Sequence, residues 1–139
     1  SNNIRNNFGF MNRCEDADPQ ARDKTFRQEG RKVFKEVVPI AAAHIEGHLA
    51  QLALQPDQVR RFWLHQANEG MNQLVIKRLL GEAGADRAPL ILDEFANTAS
   101  AGSIIAFHQH RDDLAAGDVG VVCSFGAGYS VGSVVVKKR

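Results

Sequence analysis

The sequence predicts an α/β fold in which helices pack on a mixed, mostly parallel sheet. Short apolar runs typical of buried strands alternate along the chain with segments whose apolar residues recur at helical spacing. Two apolar runs near the carboxyl terminus are separated by only a few glycine-rich residues, which predicts a final antiparallel hairpin. The 139 residues, 44% of them hydrophobic and 24% charged, suit one globular domain of ordinary size.

Charge and cysteine content exclude several classes of function. Seventeen basic and sixteen acidic side chains leave a formal net charge of +1, which argues against a dedicated binder of nucleic acid or of membrane surfaces. No apolar run approaches the roughly 18 residues that a membrane-spanning helix needs. Two cysteines cannot build a disulfide framework and no signal peptide is recognisable, so we expect a cytoplasmic protein.

The segment Ser1–Lys24 is a polar lead-in to the rest of the chain. It contains few apolar residues, so burial of its side chains alone cannot offset the entropy lost on ordering it. We therefore place a domain boundary after it and predict a globular domain over residues 25–139. The chain begins with Ser and not with Met, and we expect it to be a fragment of a longer protein.

The domain is predicted to open with a long helix. Apolar residues recur at helical spacing from Thr25 to about Leu54, and Pro39 within this run predicts a kink or two abutting helices. A short buried strand is predicted at Arg61–Leu64. The helix after it is expected to end at Gly81.

The same alternation continues to the carboxyl terminus. Leu90–Leu92 predicts a brief strand, and Ser100–Leu114 predicts a helix. Val119–Phe125 and Tyr129–Val136 predict two strands, joined by a tight turn at Gly126–Gly128.

Two motifs that resemble cofactor sites fail on closer reading. His44 and His48 are four residues apart, as in zinc-protease helices, but Ile45 stands where that motif needs Glu, and no third ligand is apparent. Gly126 and Gly128 resemble a dinucleotide-binding loop, yet a strand and not a helix follows them. We therefore predict helix-surface or packing histidines, no metal and no cofactor.

Neither cysteine is predicted to be a nucleophile. Cys14 is followed by Glu15 and Asp16, whose carboxylates oppose formation of a thiolate. Cys123 lies within an apolar strand, where a cysteine usually serves as a small core residue.

Two polar residues at strand-to-helix turns are the best candidates for chemistry. His65 follows one predicted strand, and Asn97 follows the next, about one β-α-β unit further on. Ligands of parallel sheets bind outside the carboxyl ends of the strands, so the two side chains could share one cavity. An imidazole and a carboxamide are neutral donors suited to a developing oxyanion. The alternative is a capping Asn and a strand-end His with no role in chemistry.

Three ordered motifs resemble the C-terminal half of the type III 3-oxoacyl-(acyl-carrier-protein) synthases, also called β-ketoacyl synthases III, of the thiolase-like superfamily. The motifs are Trp63–Asn68, Phe95–Ser100 and Phe125–Ser133, and Gly30–Lys35 fits the same pattern. The resemblance extends over roughly residues 26–139. It implies that this chain is one half of a thiolase-like fold.

The resemblance also implies an activity, a decarboxylative Claisen condensation. A malonyl thioester loses carbon dioxide, and the enolate attacks an acyl group held on a cysteine, which gives a 3-oxoacyl thioester. By this resemblance, His65 (neutral) and Asn97 hydrogen-bond the thioester oxygen that becomes the enolate oxyanion, and the backbone N–H near Ala127 forms part of a second oxyanion hole. The residues expected to support these motifs or bind substrate are Gln66, Ala67, Asn68, Gly126 and Gly128.

The nucleophilic cysteine of that family lies in the N-terminal half, which this sequence does not contain. The resemblance therefore implies that the isolated chain is inactive, that Ser1–Lys24 is a crossing segment, and that the full-length enzyme is a homodimer. The implied substrates are acyl-CoA and a malonyl thioester carried by CoA or carrier protein, in fatty acid biosynthesis. Two alternatives stay open: another thiolase-fold condensing enzyme, of polyketide or hydroxymethylglutaryl type, and a non-catalytic acyl-thioester-binding module.

Overall fold

A mixed three-stranded sheet with helices on both faces forms the centre of the molecule. The computed structural model describes residues 3–5 and 26–139. The helices and strands of this part are β1 (Ile4–Arg5), β2 (Arg27–Gln28), α1 (Gly30–Gln51), β3 (Val59–Leu64), α2 (Glu69–Leu80), α3 (Leu92–Phe95), α4 (Ala101–His110), β4 (Val119–Gly126) and β5 (Ser130–Lys137). Short 3₁₀ turns lie at 56–58, 82–87 and 111–113.

Strand β4 occupies the middle of the sheet, between β3 and β5. It runs parallel to β3, with Cys123 opposite Leu64 at the end of their ladder. It runs antiparallel to β5, with Gly126 opposite Ser130 beside the connecting turn. Helices cover both faces of β4, which explains its continuous apolar run. The predicted mixed α/β architecture with a C-terminal antiparallel hairpin is confirmed.

Side chains of the sheet alternate between two apolar layers. Leu64 and Cys123 point to the face covered by α1 and α2. Trp63 and Val122 point to the opposite face, which α4 covers. A Cβ atom at Gly120 would overlap the six-membered ring of Trp63, so the indole can pack flat on the sheet only over a glycine.

Helix α1 is one continuous helix with Pro39 inside it. It begins at Gly30, because Arg27 and Gln28 pair with β1, so the prediction of a start near Thr25 is wrong. It ends at Gln51, three residues before the predicted end at Leu54. One face of α1 is buried against the sheet and α2, and this tertiary packing outweighs the local cost of proline.

The prediction of a strand at Leu90–Leu92 is wrong. Helix α3 already begins at Leu92, and the residues before it form no backbone ladder. Instead, the buried side chain of Gln66 donates from Nε2 to the carbonyl of Pro89 (3.3 Å) and accepts from the backbone N–H of Ile91 (3.2 Å). A side-chain amide thus replaces the strand pairing that the apolar pattern predicted.

Helix α4 is shorter than the sequence predicted. It spans Ala101–His110 and is followed by a 3₁₀ turn, whereas the apolar spacing predicted a helix to Leu114.

Within the described ranges, no helix combines the length and the apolar character needed to span a bilayer.

Of the lead-in Ser1–Lys24, the structure describes only residues 3–5, so the predicted boundary after Lys24 stays a prediction. The side chain of Asn3 donates to Glu36 Oε2 of α1 (3.0 Å) and to the hydroxyl of Tyr129 (2.8 Å). These contacts attach β1 to the helix and to the turn before β5.

Candidate active site

A cavity of about 250 Å³ lies beyond the carboxyl ends of β3 and β4. His65, Asn97 and Ala127 all contribute to its wall, together with Ala67 and Gly126. The remaining wall is largely apolar, with Val33 from α1, Met71 from α2 and Phe125 from β4 among its residues. The structure therefore brings together, at the edge where parallel sheets bind ligands, the three residues that sequence reasoning placed in oxyanion sites.

His65 is buried directly after β3. Its Nδ1 lies 3.2 Å from Ser124 Oγ, and its ring packs at a tilt against Phe125 with the ring centroids 4.6 Å apart. Burial lowers the pKa of His65 below its usual value near 6.5, because desolvation disfavours the charged imidazolium. The imidazole is therefore neutral at pH 7 and has one N–H to donate.

Asn97 lies in the loop between α3 and α4, with its carboxamide held in one orientation. The backbone N–H of Ala99 donates to Asn97 Oδ1 at 2.9 Å. Because a backbone N–H can only donate, this contact identifies the oxygen and leaves Nδ2 as the available donor. Ala96 and Ala99 on either side have positive φ of 53° and 54°, a sparsely populated backbone conformation that costs a residue with a Cβ about 1–3 kcal/mol. Such strain is found at functional loops more often than elsewhere.

The hairpin turn between β4 and β5 supplies Ala127 to the cavity. Gly126 ends β4 and also lines the cavity. Gly128 has φ +132°, and a Cβ there would lie 2.8 Å from Ser130 Oγ, so only glycine fits. Gly128 shapes the turn and does not line this cavity.

The three residues after His65 have different places. Gln66 is fully buried, with its amide bonded to Leu64 O (3.0 Å) and to the 89–91 segment. Asn68 is the N-cap of α2, where its Oδ1 accepts from the backbone N–H of Met71 at 3.2 Å. Ala67 lines the cavity itself. Gln66 and Asn68 thus have structural bonds that explain their presence, and Ala67 faces the site.

A second cavity of about 510 Å³ adjoins the first and shares four lining residues with it, Gln28, Ala67, Met71 and Asn97. Arg31 and Lys35 at the amino-terminal end of α1 line it. Sequence reasoning included them in the Gly30–Lys35 pattern but assigned them no role, although cations near a helix N-terminus are electrostatically unfavourable for the helix. It also missed Ser124, a polar residue within an apolar strand.

His44 and His48, the pair that resembled a zinc-binding motif, lie on α1 beside β5. Among the residues that the structure describes, no group of three or more His, Cys, Asp or Glu side chains could hold a metal ion. His44 Nε2 and His48 Nδ1 both contact the hydroxyl of Ser133, at 3.0 Å and 2.7 Å. The two histidines thus pack against β5, outside the cavity.

The thiol of Cys123 is fully buried, and burial raises its pKa to about 12. It therefore stays protonated at neutral pH and cannot serve as a thiolate nucleophile. Cys14 lies outside the described residues.

Comparison with solved structures gives the class of protein. The 3-oxoacyl-(acyl-carrier-protein) synthase III of Pseudomonas aeruginosa PAO1 superposes with a TM-score of 0.76 and 26% identity, over 86% of this chain and 38% of that one. The 3-oxoacyl-(acyl-carrier-protein) synthase of Burkholderia xenovorans LB400, at 19% identity, shares the fold with a TM-score of 0.78 over 99% of this chain and 40% of that one. The fold is that of the C-terminal half of a thiolase-like synthase.

The family follows from sequence comparison. Residues 49–138 match the model of the 3-oxoacyl-(acyl-carrier-protein) synthase III C-terminal family, and the chain belongs to this family. It is 59% identical to the beta-ketodecanoyl-(acyl-carrier-protein) synthase of Pseudomonas aeruginosa, over 100% of this chain and 40% of that protein. It is 32% identical to the beta-ketoacyl-(acyl-carrier-protein) synthase III of Lactobacillus helveticus, over 86% of this chain and 37% of that protein. The expected family is confirmed, and the chain spans about 40% of the length of these curated relatives.

Proposed function

We propose that this chain supplies the enolate-stabilising half of the active site of a condensing acyltransferase in fatty acid biosynthesis. In the proposed reaction a malonyl thioester is decarboxylated, and its enolate attacks an acyl-cysteine to give a 3-oxoacyl thioester. His65 and Asn97 donate to the enolate oxygen. The observation that carries the proposal is that both residues line one cavity at the ends of parallel strands.

The state of each donor suits a developing negative charge. Burial keeps His65 neutral, so it stabilises the enolate by donating a hydrogen bond and does not quench it by giving up a proton. The bond from Ala99 leaves Nδ2 of Asn97 as a donor at every pH. Donors that are fixed before reaction need no reorganisation, and loss of one such donor typically costs about 2.7–4 kcal/mol.

The adjoining cavity suits the carrier arm of the thioester substrates. CoA and the prosthetic arm of a carrier protein both bear phosphate, and Arg31 and Lys35 line this cavity. Asn97 and Ala67 line both cavities, so a thioester entering past the two cations would reach the donors. We propose acyl-CoA and a malonyl thioester of CoA or carrier protein as substrates.

The name of the most similar relative quoted above suggests the length of the acyl group. A beta-ketodecanoyl product is built from an octanoyl primer, because decarboxylative condensation adds two carbons. We propose that the full-length enzyme carrying this chain takes a medium-chain acyl primer of that kind.

The nucleophile is proposed to lie in an N-terminal half. Cys123 is unsuited to acylation by its burial and raised pKa. In the full-length enzyme, this chain is proposed to follow an N-terminal half that bears a cysteine at a helix start, where a thiolate is favoured. Two copies of that full-length enzyme are proposed to form a homodimer. We also propose that it acts in the cytoplasm, where a reducing environment keeps such a thiol free. The backbone N–H near Ala127 then belongs to the oxyanion hole over the acyl-cysteine.

Separate measurement of the two half-reactions tests the proposal in the full-length synthase. Asn97→Ala and His65→Ala should each lower malonyl decarboxylation about 100- to 1,000-fold, the typical effect of removing one oxyanion donor. Acyl loading of the cysteine should be unchanged. Carbon dioxide release and mass spectrometry of the acylated protein measure the two steps.

His44→Ala serves as the matched control, because it removes an imidazole that lies outside the cavity, and decarboxylation should stay at the wild-type rate. Loss of loading with normal decarboxylation in Asn97→Ala would contradict the proposed roles. Wild-type rates in both cavity variants would reject the donor roles of His65 and Asn97. Absence of decarboxylation in the wild-type protein itself would favour a non-catalytic binding module.

A further inference from the structure

Ser124 of β4 lies beside His65 on the same face of the sheet. The last pair of the parallel ladder joins Leu64 to Cys123, so His65 and Ser124 each come one residue later. Partners across a ladder point to the same face, and the preceding pair, Trp63 and Val122, packs on the face that α4 covers. This register places Ser124 Oγ 3.2 Å from His65 Nδ1.

We propose that Ser124 is a positioning residue that donates its hydroxyl proton to His65 Nδ1 and so keeps the imidazole proton on Nε2. This inference rests on the proposed role of His65 as a donor to the enolate oxygen. The Ser124 hydroxyl thereby determines that Nε2 of His65, and not Nδ1, carries the proton that can be donated into the cavity.

The chemistry of neutral imidazole makes this selection possible. A neutral ring carries one N–H and one lone pair, and the partner of one nitrogen decides where the proton sits. A hydroxyl that donates to Nδ1 requires a lone pair there, which leaves the proton on Nε2. Had a carbonyl or carboxylate oxygen stood in place of Ser124, it would have accepted from Nδ1 and left Nε2 without a proton.

The surroundings hold the arrangement in place. Burial keeps His65 neutral, so both nitrogens are not protonated together at pH 7. The ring of Phe125 packs at an interplanar angle of 50° against the imidazole and restricts its rotation. A hydroxyl within an otherwise apolar strand is costly unless it is hydrogen-bonded, and His65 supplies that bond.

The experiment compares Ser124→Ala, Ser124→Thr and Ser133→Ala in the full-length synthase. The Thr variant keeps a hydroxyl and suits a strand. The control, Ser133→Ala, also removes a hydroxyl bonded to imidazole, but on the sheet face turned toward α1, outside the cavity. Nitrogen-15 NMR reports the His65 tautomer, with its signals assigned by their loss in His65→Ala.

We expect wild-type protein and Ser124→Thr to hold the Nε2–H tautomer, and Ser124→Ala to gain an Nδ1–H population. In Ser124→Ala, kcat for malonyl decarboxylation should fall about three- to tenfold, the effect of one neutral hydrogen bond, with KM for the malonyl thioester unchanged. Ser124→Thr should restore kcat, and Ser133→Ala should change neither tautomer nor rate. A wild-type tautomer and kcat in Ser124→Ala, or an Nδ1–H tautomer in the wild type, would overturn the inference.

Failure of this inference is distinguishable from failure of the proposed function. Wild-type decarboxylation in both His65→Ala and Asn97→Ala would reject the proposed function. A large loss in those two variants beside an unaffected Ser124→Ala would reject only the role of Ser124.

Discussion

In the proposed reaction, His65 and Asn97 both stabilise the enolate oxygen, but the two side chains depend differently on pH. A carboxamide does not titrate, so Asn97 donates at any pH once Ala99 has fixed its oxygen. An imidazole with its usual pKa near 6.5 would be a charged imidazolium in some of the molecules at pH 7, and the imidazolium could transfer its extra proton to the enolate. Burial removes this ambiguity, because it lowers the pKa of His65 and leaves the neutral donor.

The lowered pKa of His65 predicts the acid side of the pH profile. Decarboxylation by the full-length synthase should decline on the acid side with a midpoint below pH 6.5, because the buried imidazole is protonated only at a lower pH than a free one. Initial rates of carbon dioxide release between pH 5 and 8 measure this. A decline centred at or above pH 6.5 would contradict it.

The same shift has a consequence for stability. Between the unfolded value near 6.5 and the lower folded value, the unfolded chain binds the proton and the folded chain does not. His65 therefore contributes a loss of folding stability as the pH falls below 6.5, and this loss stops growing once the folded pKa is passed. His65→Gln should remove that part of the pH dependence.

One side chain, that of Gln66, connects the end of β3 to residues 89–97, which are called the Asn97 arm below. Gln66 bonds to Pro89 and Ile91, and the chain then runs through α3 to Asn97. A Cβ at Gly102 would lie 2.8 Å from Gln66 Cβ, so the first turn of α4 packs directly over this amide. A buried amide outside the cavity thus connects the end of β3, beside His65, to the segment that leads to Asn97.

Gln66→Leu should destabilise the protein and weaken catalysis together. The substitution removes the partner of the buried N–H of Ile91, which costs about 1–3 kcal/mol, and it also removes a bond to the half-buried carbonyl of Pro89. Urea unfolding of the full-length synthase should show the loss, and decarboxylation should fall because Asn97 is held less firmly.

The matched control is Gln73→Leu on the exposed face of α2, where the amide bonds only to Glu69 Oε1 among the described contacts. Its effect on unfolding should stay within about 0.5 kcal/mol. Equal effects of the two substitutions would show that Gln66 is not the link between the strand and the arm.

Apolar periodicity predicted the elements whose burial it reflects. It located β3, α2, β4 and β5 to within two or three residues, because each buries a face of period 2 or 3.6. It failed at Leu90–Leu92, where a side chain from another element takes the hydrogen bonds of a strand. It also failed at the start of α1, where pairing with β1 takes Arg27 and Gln28.

The candidate site was predictable to the extent that it follows from strand ends. His65 follows β3 as predicted, and both residues line one cavity. Asn97, however, follows helix α3 and not a strand, so the strand-end argument was right for His65 and wrong for Asn97. The contact of Ser124 with His65 was not predictable, because it depends on the register between β3 and β4, which the sequence pattern leaves open. The catalytic roles of His65 and Asn97 stay predictions until the two half-reactions are measured.

The described part of the molecule contains the two proposed oxyanion donors, His65 and Asn97, but no exposed thiolate. At a pKa of about 12, roughly one Cys123 thiol in 100,000 is ionised at pH 7, and its side chain is fully buried. Large apolar side chains such as Ile104 and Phe95 stand exposed, at 58% and 36% of their full surface. The chain spans about 40% of the length of its relatives, and under the proposed function it supplies the enolate donors but not the nucleophile.

This division of groups predicts where acylation occurs. When the full-length synthase is incubated with octanoyl-CoA and digested, the acyl adduct should be absent from every peptide of this chain. The double variant Cys14→Ala, Cys123→Ala should load the acyl group to the wild-type extent, because neither thiol is the nucleophile.

The 139-residue chain alone should release no 3-oxoacyl product from octanoyl-CoA and malonyl thioester. Labelling both cysteines with iodoacetamide after unfolding provides the control that their thiols are intact. An acyl adduct on Cys123 would instead mean that β4 opens enough to expose a buried thiol, and the nucleophile would then have to be placed in this chain.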